Sequence, residues 1–329
     1  MYIDANLKAY LHYITNKTIA HNQDNITRTN AYFKFYLKFP EIKWAFLASI
    51  VSRNAGWNMT DLQMTPFQYL LGKQERERLF MTYERANWLI FSDAYPQLLV
   101  YQLSKQNNKP MFDLLSLFHV SSYMIKEWHY FWKYCDKNRL VQALIINEQN
   151  VIQEPVIKQH YFQRRVFHQL PYQMQNFFMM NAVLLPSMSN DLYGAYVHNF
   201  TNRTNRIQLG KKLASLIFSP TVYKQTFLFV KYCTHTGSRR DYERFLKLPK
   251  QPVTPILRMV YPIITHQETI RKDWYQSGGV KKKWIRDAHQ CNKQQIGKTF
   301  YQKRQMLFAY FYTKQVFTAK KYFSTNKRG

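Results

Sequence analysis

The sequence predicts an all-α fold, an irregular globular arrangement of about a dozen helices that ends in a basic, aromatic-rich helical segment. Three observations indicate this class. Glycine is rare, with 9 residues in 329, which disfavours turn-rich β-sandwiches and nucleotide-binding α/β folds. Several long stretches lack both glycine and proline, and none alternates polar and apolar residues as a half-buried strand would. An apolar content of 46% supplies material for a core and excludes a disordered chain.

A hydroxyl residue followed by proline marks three expected helix starts. Thr65-Pro66, Ser219-Pro220 and Thr254-Pro255 each place a capping hydroxyl before a proline at the first helical position. A helix is expected from Gln74 to Tyr95, and Pro96 is expected to end or kink it because proline has no N–H to donate. The stretch from Met111 to Glu154 is expected to hold two or three helices separated by short polar turns.

The stretch from Gln159 to Asp191 has the least regular pattern, and it contains the apolar run Phe177–Met180. It either connects two helical subdomains or covers the core as a loop with short helices, and the apolar run favours the cover because it needs burial. Gly278 and Gly279 form the one glycine pair in the chain and precede a run of lysines. We therefore place a hinge there, between a helical body, residues 1–277, and a basic C-terminal helical segment, residues 278–329.

Charge is distributed unevenly along the chain. Residues 1–154 hold 17 Lys and Arg against 13 Asp and Glu, whereas residues 155–329 hold 30 against 6. An A/T-rich genome would enrich Glu together with Lys, so codon bias does not explain the missing carboxylates. A half-chain this basic repels itself when it is compact, which favours a polyanionic partner. Nucleic acid is the first candidate, and an anionic membrane surface is a weaker one.

The sequence contains no recognisable motif for a metal, a cofactor or a catalytic centre. Cys135, Cys233 and Cys291 lie far apart, which disfavours a disulfide framework or a zinc site and favours a reducing compartment. The N-terminus lacks the basic and apolar parts of a signal peptide, and the purest apolar run, Trp44–Val51, is far shorter than the ~20 residues of a transmembrane helix. We therefore expect a cytoplasmic protein without a cofactor, and the sequence indicates no oligomeric state.

Four stretches place polar side chains in apolar or aromatic surroundings. They are Trp44–Asp61, Glu84–Asp93, Ala143–Gln149 and His235–Glu243. In the first, an apolar helix is expected to run into a turn at Gly56. One interpretation gathers the polar residues into a single cleft that binds an anion or supports acid–base chemistry. The candidate cleft residues are Arg53, Asn54, Asp61, Glu84, Arg85, Asn87, Asp93, Glu148, His235, Arg239 and Asp241.

The other interpretation of these polar residues is structural. They would then form helix caps and ion pairs between helices, because buried charges must be paired. This interpretation is favoured, since structural networks are common and the spacing selects no nucleophile. An enzyme or small-ligand binder is thus the alternative to a polyanion-binding protein.

The same four regions resemble the YppC-like family of uncharacterised proteins from Gram-positive, spore-forming bacteria. The correspondence is closest over Trp44–Asp61, followed by Glu84–Tyr101, Ala143–Ile157 and His235–Glu243, and it extends roughly to the Gly278-Gly279 pair. Its most specific part is Trp57-Asn58-Met59-Thr60-Asp61 after Ser52-Arg53-Asn54. The resemblance implies a cytosolic bacterial protein and no activity, so no catalytic role is carried over.

The basic C-terminal segment interleaves cations with aromatic residues over Lys281–Arg286 and Lys298–Phe323. Three interpretations are open: cations that hold a phosphate backbone while aromatics stack on unpaired bases, a basic helix on anionic lipid, and a core helix whose lysine stems surround buried aromatics. On a helical wheel, Arg304 flanks Phe300 and Leu307 closely, so burial on more than one side is expected. The candidate polyanion contacts are Lys281, Lys282, Lys283, Arg286, Lys298, Lys303 and Arg304, with Trp284 as the first stacking candidate.

Overall fold

The computed structural model describes residues 5–158, 182–189, 191–197, 199–245, 254–267, 270–286 and 295–325, with side chains up to residue 317 in the last range. The α-helices are α1 Ala5–His21, α2 Asn25–Lys38, α3 Lys43–Asp61, α4 Thr65–Leu70, α5 Lys73–Gln106, α6 Ser122–Tyr134, α7 Lys137–Val151, α8 Arg203–Ile217, α9 Pro220–Tyr232, α10 Arg240–Glu243, α11 Leu257–Val260, α12 Lys282–Ile285 and α13 Gly297–Thr325. A 3-10 helix, Phe112–Phe118, a π-helical turn, Gln153–Ile157, and a hairpin of β1 Ala182–Pro186 and β2 Leu192–Tyr196 complete the described elements. The predicted all-α class is confirmed.

Helix α3 lies at the centre of the molecule, in contact with α2, α5, α7, α8 and β1. Sixteen of its 19 residues are buried, as expected for a helix that is surrounded on all sides. The expected turn at Gly56 is wrong, because α3 continues to Asp61. A Cβ atom at Gly56 would lie 2.3 Å from Asn25 Oδ1, so glycine serves here for the close approach of α2.

Helix α5 continues through Pro96 for a further ten residues instead of ending there. Proline leaves the carbonyl oxygen four residues earlier, that of Ser92, without its usual helical donor. The Arg271 guanidinium supplies the replacement: Nη2 lies 3.4 Å from the Ser92 carbonyl oxygen, and Nη1 donates to Ser92 Oγ at 3.0 Å. A contact from a residue far along the chain therefore compensates for the proline.

Two of the three proline-marked helix starts are confirmed in position, but neither hydroxyl caps its helix. Helix α4 begins at Thr65 with Met64 at the cap position, and α9 begins at Pro220 after Ser219, whose hydroxyl donates to the carbonyl oxygen of Leu216 instead. The third is wrong, because Thr254 is buried and its hydroxyl and carbonyl oxygens bond to Ser238 Oγ, while α11 begins only at Leu257. The stretch from Met111 to Glu154 holds the 3-10 helix, α6 and α7, as predicted.

The hairpin of β1 and β2 is not predicted by the alternation of polar and apolar residues. All five residues of β1 are buried, so both faces of the strand are covered and its sequence is continuously apolar. Gly194 in β2 has a φ of +150°, and a Cβ atom there would lie 2.1 Å from the carbonyl oxygen of Val183. The expected cover by Phe177–Met180 falls outside the described residues.

Asn54 of α3 closes the free edge of this hairpin. Its amide nitrogen donates to the carbonyl oxygen of Leu184 at 2.8 Å, and its amide oxygen accepts from the N–H of Leu184 at 2.7 Å. The carboxamide thus takes the place of a neighbouring strand, which the backbone groups at an open edge would otherwise require.

Replacing Asn54 by alanine is expected to lower the free energy of unfolding by about 1–3 kcal/mol, because the N–H and the C=O of Leu184 would both stay buried without a partner. Urea denaturation measures this loss. The matched control is Asn87→Ala, since Asn87 donates only to the carbonyl oxygen of Tyr83 in its own helix, at 2.7 Å. The control is expected to change stability by no more than ~0.5 kcal/mol. Equal losses in both variants would contradict the role assigned to Asn54.

The C-terminal segment packs against the helical body. Trp284 and Phe300 belong to the same apolar cluster as Trp44 of α3, whereas Leu307 packs into a second cluster with Met59. A turn over residues 274–278 leads into Gly279, whose φ is +59°. The division of the chain at residue 278 stays a prediction.

The expected burial of α13 on more than one side is wrong. Phe300, Leu307 and Phe311 are buried along one side of the helix, while Met306 and Phe317 on the other side are exposed. On the helical wheel, Arg304 interrupts the apolar face of α13 and hides the fact that this side is buried. In the fold, Arg304 lies on the buried side and is paired with Glu243.

Candidate functional site

A cleft of about 1180 Å³ opens where α7 and the π-helical turn meet residues 270–284. Helical turns of the π type are rare in proteins. Where they do occur, they often lie at functional sites. The cations that line the cleft are Lys158, Arg203, Arg271, Lys272 and Lys281, its carboxyl groups are Asp93, Glu154 and Asp273, and its indoles are Trp274 and Trp284. We call this cavity the basic cleft.

Asp93 lies at the inner end of the basic cleft, within a network of amide groups. Its Oδ2 accepts from the side-chain amide of Gln97 at 2.8 Å and from that of Asn147 at 2.6 Å. Asn147 Oδ1 in turn accepts from Ser121 Oγ and from the indole of Trp274, both at 2.9 Å. Burial raises the pKa of the Asp93 carboxyl, and Arg271 with the two amide donors opposes that rise. The network fixes Trp274 against the wall of the cleft.

Exposed cations lie beside the basic cleft. Lys281 lines the cleft, and Lys282, Lys283 and Arg286 follow it closely in the chain; we call these four the rim cations. All four are exposed, and none of them forms an ion pair with a carboxylate among the described residues. Lys281 lies 5.7 Å from the ring centre of Trp284, and Arg203 lies 5.4 Å from it on α8. The rim therefore has a positive potential next to an open cavity.

The carboxylates of the C-terminal half that lie in the described ranges are bonded to groups other than the rim cations. Asp273 accepts from the N–H of Ser122, and Asp191 accepts from the amide of Gln295. Glu243 is paired with Arg304. Asp241 is buried and accepts from Thr236.

The predicted polyanion contacts divide between surface and interior. Lys298 is exposed like the rim cations, and Lys303 is half-buried with its ammonium 4.2 Å from the ring centre of Tyr196. Two of the predicted contacts require correction. Trp284 is 3% exposed, with its indole N–H donated to Thr204, so it offers no open face for stacking. Arg304 is also 3% exposed and is paired inside the protein.

Arg239 and Asp61, both predicted cleft residues, form a buried ion pair with an Nε–Oδ2 distance of 2.5 Å. Arg239 also donates to Asn58 Oδ1 and to the hydroxyl of Tyr242, each at 2.9 Å. The neighbouring pair of Arg304 and Glu243 brings α13 into the same group of charges. We call Asp61, Arg239, Glu243 and Arg304 the ion-pair cluster; it connects α3, α10 and α13.

His235 and Asp241 lie together in a second buried centre beside Trp57. The imidazole Nδ1 is 3.4 Å from Asp241 Oδ2, and Nε2 is 2.8 Å from Asn25 Oδ1. The amide nitrogen of Asn25 donates to Ser52, which makes its Oδ1 an acceptor, so Nε2 of His235 carries the hydrogen. Burial, assisted by the charge of Arg53 and opposed by the contact with Asp241, lowers the pKa of His235 to about 4.

The remaining predicted cleft residues have separate partners. Arg53 donates to the carbonyl oxygen of Cys233 at 2.8 Å, and burial lowers its pKa to about 10. Glu84 accepts from Arg28 at 2.5 Å, and Arg85 lies over the ring of Trp88 at 4.7 Å. Glu148 accepts from the indole of Trp44 at 3.1 Å. The predicted set therefore occupies several buried centres, and only Asp93 among its members lines the basic cleft.

Sequence reasoning missed Arg28, Asn147 and Arg271, which hold Glu84 and Asp93. Asn147 carried a signal, because it follows the aliphatic run of α7 directly and a polar residue there faces the core. Arg28 lies 56 residues from Glu84 and Arg271 lies 178 from Asp93, and no spacing rule connects residues so far apart.

Within the described ranges, no group of three or more His, Cys, Asp or Glu side chains lies together as metal ligands would. No helix in this part of the chain has the length and apolarity needed to cross a membrane.

Comparison with known proteins places the chain in a family. A family model described as a protein of unknown function (DUF2515) matches residues 20–304. The uncharacterized protein YppC of Bacillus subtilis (strain 168) is 43% identical over 310 residues, which cover 94% of this chain and 96% of YppC. No solved structure matches the chain. The match of the family model spans the basic cleft and the ion-pair cluster, and it confirms the resemblance seen in the four stretches. The chain belongs to the DUF2515 family of proteins of unknown function.

Proposed function

We propose that this protein binds nucleic acid through the rim of the basic cleft. One observation carries the proposal: the rim cations Lys281, Lys282, Lys283 and Arg286 are exposed, and no described carboxylate forms an ion pair with them. Exposed cations without paired carboxylates attract phosphate groups, and binding gains free energy from the counterions that the nucleic acid releases. The local charge is therefore available to a polyanion.

The shape of the site favours a single strand over a duplex. Bases of a single strand are free to enter a cavity and to stack on an aromatic ring, whereas the bases of a duplex are paired. The basic cleft has a volume of about 1180 Å³, and the half-buried Trp274 lines it. Because Trp284 is buried, Trp274 takes the stacking role in this proposal.

Changing Lys281, Lys282 and Lys283 together to glutamine is expected to weaken binding of a fluorescent single-stranded oligonucleotide on the order of tenfold to a hundredfold at ~100 mM salt. Each phosphate contact to a single strand contributes about 0.7 to the slope of log K against log salt, so the loss of three contacts reduces the slope by about 2. Fluorescence anisotropy over a salt series measures both quantities.

The matched control changes Lys8, Lys34 and Lys109 to glutamine, three exposed lysines in the first half of the chain. It removes the same charge and is expected to leave the slope unchanged. An unlabelled duplex of equal length competes less well than the single strand if the cleft takes bases. No binding at ~50 mM salt, or an equal loss in both triple variants, contradicts the proposal. So does binding to anionic vesicles without binding to the oligonucleotide, which would assign the rim to a membrane surface.

A further inference from the structure

Helix α13 has apolar side chains on two opposite sides, and the body of the protein covers only one of them. Phe300, Leu307 and Phe311 are buried on the covered side. On the other side five large apolar side chains are exposed, and we call them the outer face of α13: Met306, Tyr310, Tyr312, Val316 and Phe317. At 100° per residue the outer face spans about 160° of arc, opposite the buried side.

The outer face is not typical of a helix on a protein surface. Such a helix normally carries one apolar stripe that faces the core and polar side chains on the opposite side, whereas a helix that is apolar all round is normally buried. Phe317 is nevertheless 66% exposed and Met306 is 53% exposed. A contiguous exposed apolar surface marks an interaction site, so the outer face indicates a partner that covers it.

The charge of α13 restricts the choice of this partner. The helix contains six Lys and Arg residues and neither Asp nor Glu. Arg304 is paired with Glu243 inside the protein, whereas Lys298 and Lys314 are exposed, and the Lys314 ammonium lies 5.7 Å from the ring centre of Tyr310. A second copy of the chain would bring two cationic helices together, and they would repel each other. The complementary surface is therefore an anionic one.

A lipid surface fits the outer face better than a nucleic acid or a protein does. Met306 and Val316 have no ring to stack on a base, but their side chains insert readily among acyl chains. Tyr310 and Tyr312 have amphipathic rings of the kind that lies at the level of lipid headgroups. Every side chain from Tyr312 to Phe317 is exposed, so this end of the helix is convex. A protein would have to supply a matching groove, whereas a membrane surface needs none.

We propose that α13 lies on the surface of an anionic membrane, with its outer face among the upper parts of the acyl chains and its exposed lysines at the headgroups. The buried side holds the helix against the body of the protein, so the helix lies along the plane of the membrane. This contact does not involve the basic cleft, and it does not depend on the binding of nucleic acid there.

Co-sedimentation of the full chain with vesicles tests the proposal. Vesicles of phosphatidylglycerol and phosphatidylcholine in equal parts are compared with vesicles of phosphatidylcholine alone. The protein is expected to pellet with the anionic vesicles and to stay in the supernatant with the neutral ones. Raising the salt from ~0.1 M to ~1 M is expected to weaken the binding, because the Debye length falls from about 10 Å to about 3 Å.

The decisive variant changes Met306 and Phe317 together to serine. Both side chains are exposed, so the packing of the body is retained. The variant is expected to weaken binding to the anionic vesicles on the order of tenfold to a hundredfold, because less apolar surface leaves water. The matched control changes Ile19 of α1 and Leu37 of α2 to serine; these two are 65% and 50% exposed, and the control is expected to leave vesicle binding unchanged. Circular dichroism confirms that both variants fold.

Four results would overturn the proposal. The first is a protein that does not pellet with anionic vesicles, and the second is an equal loss of binding in both double variants. The third is a greater loss when Lys281, Lys282 and Lys283 are changed to glutamine, which would place the membrane contact at the rim. The fourth is a loss of oligonucleotide binding or of a dimer in solution, in place of vesicle binding, when the outer face is changed. Oligonucleotide binding is measured separately, so either proposal can fail without the other.

Discussion

Replacing Asp61 by asparagine is expected to lower the free energy of unfolding by about 3–5 kcal/mol, the loss typical of removing one partner from a buried ion pair. The change leaves the Arg239 guanidinium inside the protein with its charge and without a carboxylate. Arg239 is 3% exposed, so water cannot replace the carboxylate. Its remaining acceptors are Asn58 Oδ1 and the Tyr242 hydroxyl, both neutral. Arg304 lies nearby, and the two cations then repel each other with one carboxylate fewer between them.

Urea denaturation of the full chain measures this loss. The matched control is Glu77→Gln, which makes the same kind of change at the exposed pair Lys73–Glu77, where the charged atoms are 4.0 Å apart. That variant is expected to stay within ~0.5 kcal/mol of the wild type, since exposed pairs contribute little. A loss below ~1 kcal/mol for Asp61→Asn would contradict the role of the ion-pair cluster.

The sequence predicted helix boundaries correctly where the boundary depends on adjacent residues. Ser219-Pro220 starts α9 because a proline at the first helical position costs no hydrogen bond. The expected end of the helix at Pro96 is wrong, and Arg271 binds the free carbonyl oxygen of Ser92 there. The expected turn at Gly56 is also wrong, since this glycine lies inside α3 and makes room for Asn25. At both positions the relevant contact comes from a residue distant in the chain.

The candidate site shows the same division. The polar stretches contained both members of the buried ion pair Arg239–Asp61 and of the buried contact His235–Asp241, because polar groups inside a protein need partners. The sequence did not indicate which residues pair. It assigned Arg304 to the surface because that residue sits among lysines, and only the fold places Glu243 opposite it.

Changing His235 to glutamine is expected to make the protein less sensitive to acid. The pKa of His235 is about 4 in the folded protein, against an ordinary value of 6.5. Between these two values the unfolded chain binds a proton that the folded protein does not, so the contribution of His235 to stability is complete above pH 6.5 and falls as the pH decreases toward 4. The difference corresponds to about 3 kcal/mol. Below pH 4 this residue causes no further loss.

The pH dependence of the wild type alone does not reveal the effect of His235, because Glu148 changes the stability in the opposite direction over the same pH range. The test therefore compares His235→Gln with the wild type. The pKa of Glu148 is raised from its ordinary value of 4.5 to about 7 in the folded protein. Its contribution to stability is therefore complete below pH 4.5 and is lost as the pH rises toward 7. The two effects offset each other in the wild type, whose stability therefore changes little between pH 7 and pH 4 on their account.

The difference between His235→Gln and the wild type isolates the histidine. Whatever the loss at neutral pH, we expect the variant to gain about 3 kcal/mol relative to the wild type as the pH falls to 4, measured by urea denaturation at each pH. His129→Gln is the control, since the ring of His129 is exposed beside Asp113, and it is expected to follow the wild-type curve. Parallel curves for His235→Gln and the wild type would mean that the His235 ring carries a proton in the folded protein, and the Nε2–H bond to Asn25 would then belong to an imidazolium paired with Asp241.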